Sequence, residues 1–82
     1  MSKEFSTNNL LALGIDPKDI RTSLYCHWEI EKVEFHLDRL LHALYQNVLP
    51  KGLLMIMIEE VENALVELRA MFNYLYEKER RR

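Results

Sequence analysis

Eighty-two residues, 9.9 kDa, give room for one small domain. Hydrophobic residues make up 49% and charged residues 29%, which is ordinary for a globular chain and too apolar for a disordered one. Lys and Arg number 11 against 13 Asp and Glu, so the net charge is −2. That balance argues against a dedicated nucleic-acid binder and removes any general pull toward an anionic membrane.

Cys26 is the sole cysteine, so one chain can form neither an internal disulfide nor a cysteine-based zinc site. A reducing, cytoplasmic setting is the expectation. The opening residues Met1 to Phe5 are polar and give no apolar leader segment. The longest apolar run, Leu53 to Ile58, falls far below the ~18 residues of a membrane span.

The two glycines and two prolines sit in two short marks, Gly14-Ile15-Asp16-Pro17 and Leu49-Pro50-Lys51-Gly52. Gly and Pro are the strongest breakers, so they divide the domain into an N-terminal capping segment (1–15), a long helix (16–49), a turn (50–52) and a second long helix (53–82). In the first segment Ser6 and Thr7 are candidate caps, Asn8 to Leu13 can form one or two turns, and Gly14 suits the left-handed position past a helix end. So short a helix is not stable alone, so Phe5, Leu10, Leu11 and Leu13 must lie on something larger.

The first long helix opens with Asp16 as N-cap, Pro17 at the first helical position and Asp19 in the first turn. Cys26, Ile30, Val33, Leu37, Leu40, Leu41, Leu44 and Val48 then recur at three- and four-residue steps, the spacing of an amphipathic helix. Leu54, Met57, Ile58, Val61, Ala64, Leu65, Leu68, Met71, Phe72 and Leu75 repeat the pattern in the second. Two helices of ~30 residues joined by a short turn predict an antiparallel hairpin, all-α, with a short helical segment before it.

Wound at 100° per residue, the first long helix carries Leu24, Trp28 and Phe35 almost opposite its main stripe. One hairpin partner covers one side only. Either the N-terminal residues fold over this second strip, or Trp28 and Phe35 meet another chain, since aromatics anchor interfaces. The apolar arc of the second helix is also wider than a two-helix seam requires, and Met55, Ile56 and Val66 add apolar groups outside it. A homodimer forming a four-helix bundle is the favoured solution, with a three-helix monomer as the alternative. Trp28, Phe35, Leu24, Met55 and Ile56 are the candidate partner-binding residues.

Chemistry-bearing residues are sparse. His27, Glu31, Glu34, Asp38 and His42 lie along one flank of the first long helix, where a solvated charged face outweighs a metal site. The Glu-x-x-His pairs of carboxylate di-iron bundles are absent. Cys26 and His27 are neighbours, so they point ~100° apart and form no base–thiol pair. No Gly-rich phosphate loop occurs, and no cofactor is expected. The basic cluster Lys78, Arg80, Arg81 and Arg82 suits a helix C-terminus, and nucleic-acid contact is its functional alternative.

The expected function is therefore a small non-enzymatic protein–protein interaction module (adaptor, cochaperone or inhibitor) acting through an apolar helical face on an unidentified protein partner. The runner-up is a small dimeric nucleic-acid-binding regulator using the basic tail. A structural subunit of a larger assembly is the third reading.

Overall fold

The computed structural model describes residues 8–47 and 49–81. Every regular element among them is helical: α1 (Asn8–Ala12), a 3-10 turn (Pro17–Asp19), α2 (Ser23–Gln46) and α3 (Lys51–Arg80). Phe5, Ser6, Thr7, Val48 and Arg82 lie outside the described residues. The expected antiparallel hairpin is present. Cys26 near the start of α2 meets Leu68 of α3, and Ser23 meets Glu79 at the end of α3. No helix among the described residues is long and apolar enough to cross a membrane.

α1 ends as its glycine requires. Ile15 N–H donates to Leu10 O at 2.9 Å and Gly14 N–H to Leu11 O at 3.0 Å, with Gly14 at φ +79°. This paired closure satisfies the last carbonyls of a helix and needs a left-handed residue at Gly14. It also turns Ile15 inward beside Leu10, and both are buried.

The start of α2 corrects the expected boundary at residue 16. Asp16 is an N-cap, its carboxylate accepting from Lys18 N–H at 3.0 Å, but it caps only the 3-10 turn. The chain then runs extended through Ile20, and Thr22 is the N-cap of α2, its hydroxyl oxygen accepting from Tyr25 N–H at 3.1 Å. The break has a packing reason. A helix continuous from Pro17 would aim Ile20 about 120° away from the inward stripe of α2. The extended stretch instead carries Ile20 into the core.

The connection between the long helices also departs from expectation. α2 ends at Asn47, which takes the left-handed conformation at φ 55°, a residue type that tolerates it. Gly52 is not a turn residue; it lies in the first turn of α3, whose N-cap is Pro50.

The core joins three parts of the chain. Leu10, Ile15 and Ile20 come from the N-terminal segment; Cys26, Ile30, Val33 and Leu40 come from α2; Leu54, Ile58, Val61, Ala64, Leu65 and Leu68 come from α3. Leu37, Leu44, Met57, Met71, Phe72 and Leu75 pack at its edge, half-buried, while Leu41 is exposed. α1 packs against α3, with Asn9 Nδ2 donating to Glu67 at 3.3 Å. The wide apolar arc of α3 is therefore shared between α2 and the N-terminal segment of the same chain.

Polar contacts fasten the hairpin along its length. Arg69 meets Glu34 at 2.7 Å across the two long helices. At the open end, the Glu79 carboxylate accepts from Ser23 N–H at 2.8 Å and from the Ser23 hydroxyl at 2.6 Å. A carboxylate at a helix N-terminus satisfies an unpaired amide and opposes the positive end of the helix dipole.

Candidate functional site

The outer face of α2, like the first turns of α3 at Leu53, Met55 and Ile56, leaves large apolar groups in water, and it alone carries the tryptophan. Leu24, Trp28 and Phe35 are 61%, 57% and 65% exposed, and Tyr25 beside them is 38% exposed. The inward stripe of the same helix fixes this placement: burying Cys26, Ile30, Val33 and Leu40 against α3 turns Trp28 and Phe35 to the opposite side. Among the described residues, the N-terminal segment from Asn8 onward does not cover them. Its described residues pack on α3 and beside the inner flank of α2, where Leu13, Gly14 and Ile15 line a hollow with Val33 and His36.

Trp28 and Phe35 are seven residues apart, about 10 Å along the axis. Between them lies a shallow depression of about 460 Å³ lined by Tyr25, Trp28, Glu29, Glu31, Lys32 and Phe35, all from α2. Glu29 is the one buried residue of its lining. The residue is 8% exposed; its Oε1 lies 3.5 Å from Lys32 Nζ yet accepts no hydrogen bond. Arg39 stands over the Phe35 ring, its guanidinium carbon 6.0 Å from the centroid. His27 Nε2 meets Glu31 at 3.2 Å on the other flank.

The candidate partner-binding residues thus divide. Leu24, Trp28 and Phe35 share one face. Met55 and Ile56 are each 58% exposed, but they belong to the first turns of α3 and take no part in the depression. Tyr25, Lys32 and Arg39, which border the strip, were not singled out from the sequence. The same 100° winding that found Trp28 contains them.

The charged flank of α2 is shared out among separate partners. Glu34 is held by Arg69, His27 by Glu31, and His42 lies 3.1 Å from Gln46. Among the described residues no three His, Cys, Asp or Glu side chains gather in a metal-binding group. Cys26 is fully buried and its thiol donates to Leu68 O at 3.2 Å. Burial, with the nearby Glu29 charge second, pushes this thiol from 9.0 up to about 11, which opposes thiolate formation near neutral pH.

At the C-terminus Lys78 stands over Tyr74 at 5.9 Å and Arg80 over Tyr76 at 5.8 Å, while Arg80 also approaches Glu77 at 3.7 Å. Arg81 is exposed. The tail is therefore less free than its sequence suggests, because Glu79 within it is tied back to Ser23. Comparison of the chain with protein-family models, with characterised proteins and with solved structures returns no match.

Proposed function

We propose that this chain is a small non-enzymatic protein–protein interaction module, of the adaptor, cochaperone or inhibitor kind, working as a homodimer in a reducing cytoplasmic setting. Its contact surface is the outer face of α2. One observation carries the reading: Trp28 and Phe35 stay more than half exposed although the core closes without them. Contiguous exposed apolar groups mark interaction sites, and Trp in particular anchors interfaces. On this reading the dimer seam lies on this same face rather than on α3, whose arc the N-terminal segment already shares, and a host protein binds by displacing the second copy.

A second reading rests on the tail, where Lys78 and Arg80 alternate with Tyr74 and Tyr76. Cations beside exposed aromatics suit a nucleic-acid strand. Capture from an extract of the native host separates the two. The Trp28→Ser/Phe35→Ser double variant is expected to lose its bound protein while circular dichroism stays unchanged. An Arg80→Ser/Arg81→Ser/Arg82→Ser variant is expected to keep it at low and high salt. Loss in the tail variant alone, with a wild-type complex that dissolves as salt rises, would establish the nucleic-acid reading instead.

A further inference from the structure

The charges beside the aromatic strip specify what fits it, given that the strip is an interaction surface as just proposed. With Trp28 and Phe35 as the centre line of the outer face, Glu31 and Asp38 fall on one flank and Lys32 and Arg39 on the other. All four are exposed. Their contacts within the chain are the weak kind: Lys32 to Glu29 at 3.5 Å, Glu31 to His27 at 3.2 Å, and Arg39 over Phe35. Exposed pairs of this sort stabilise little, so these side chains can turn outward.

We propose that a second copy of this chain covers the strip, with the two α2 helices side by side and parallel about a twofold axis running along them. In a parallel pair the acidic flank of each helix faces the basic flank of the other. Glu31 then meets Lys32 of the second copy and Asp38 meets Arg39 of the second copy, on both sides of the seam. Each complementary pair comes from consecutive positions, so a symmetric dimer holds its members within ~1.5 Å of the same height. Trp28 packs on Trp28 and Phe35 on Phe35 across the axis. An antiparallel twofold pair does the reverse, setting acid against acid and base against base, which is repulsive. Among the described residues α3 packs on the opposite side of α2 and this approach is open, so the dimer is a flat row of four long helices with the two α2 helices in the middle. Leu24, Trp28 and Phe35 from each copy, with Tyr25 beside them, give a contact at the small end of specific interfaces, below ~1,200 Å², so the dimer exchanges with monomer.

Sedimentation equilibrium over a wide concentration range, combined with spin-label distances, tests this. The wild type is expected to be a reversible dimer, and Trp28→Ser/Phe35→Ser a folded monomer by circular dichroism. Glu31→Lys alone or Lys32→Glu alone is expected to weaken the dimer about tenfold. The Glu31→Lys/Lys32→Glu double variant is expected to recover most of the affinity, because parallel packing restores both pairs. Spin labels placed singly by His27→Cys or Tyr45→Cys, in a Cys26→Ala background, are expected to lie close to their symmetry mates at both positions. An antiparallel pair centred on the strip would instead separate the Tyr45 labels by ~40 Å along the axis and overturn the proposal. So would a dimer that survives Trp28→Ser/Phe35→Ser. A wild type that stays monomeric, yet still binds a host protein through Trp28 and Phe35, would overturn the second copy as occupant while leaving the interaction surface standing.

Discussion

Leu68 lies at the middle of α3 and is fully buried against α2. Leu68→Ala removes three heavy atoms from a closed core and is expected to cost ~2–5 kcal/mol. Leu37 occupies the equivalent middle of the α2 stripe by spacing, but it is only half-buried. Leu37→Ala is expected to cost about half as much or less, because less apolar surface returns to water. Urea denaturation of both variants checks the ranking, and equal losses would mean that Leu37 is buried as deeply as Leu68. Cys26 adds a pH dependence. Its folded thiol holds its proton up to about 11, whereas an ordinary thiol releases it near 9.0. The contribution of the neutral thiol is therefore complete below pH 9 and is lost as pH rises from 9 toward 11, since only the unfolded chain gives up its proton there. The urea midpoint of the wild type is expected to fall over that range more steeply than that of Cys26→Ala. Parallel curves for the two proteins would remove the thiol from the account.

At the scale of elements, two glycines make opposite predictions. A Cβ at either would meet nothing within 4 Å, so crowding decides neither case. Gly14 sits at φ +79°, and Gly14→Ala is expected to destabilise by about 1 kcal/mol through backbone strain. Gly52 lies in the first turn of α3, and Gly52→Ala is expected to stabilise by up to ~1 kcal/mol. Thermal melts moving in the same direction would mean that one of these turns is wrongly described. These positions also show how far the sequence is readable. The three- and four-residue spacing of Ile30, Val33, Leu54, Ile58, Val61 and Leu68 carries both long helices and their inward faces, because periodicity reports burial directly. Boundaries follow a competition that spacing does not contain. Asp16-Pro17 is a genuine start signal, but Ile20 gains more by burial in an extended segment than by continuing the helix, so Thr22 takes over as cap. Asn47 closes α2 in place of the more obvious Pro50-Lys51-Gly52, since a single left-handed residue is enough to end a helix. The direction in which α1 returns after Gly14 is a tertiary matter. The width of the α3 arc announced that something must cover it, and left open whether that was this chain or another.

For the whole molecule, the described residues form a slab of 50 × 27 × 16 Å, little thicker than one helix with its side chains. A slab that thin buries one face of each long helix and leaves the other in water, so a second surface with aromatic character is a choice the sequence makes at specific positions. Trp28, Phe35 and Leu24 were legible as that surface from winding alone. Met55 and Ile56 were not separable from it, because winding places a residue on its own helix and says nothing of which outer faces adjoin. The same geometry makes Trp28, the chain's single tryptophan, a reporter placed at the centre of the claim. The residue is 57% exposed in one copy, and contact of α2 with another chain would cover it. The direct measurement is Trp28 fluorescence as the protein is diluted from high to low concentration. We expect blue-shifted, acrylamide-protected emission at high concentration that moves to the red as the dimer separates, with circular dichroism constant throughout. Water-like, freely quenched emission at every concentration would contradict the assignment of α2 as the seam where two copies meet.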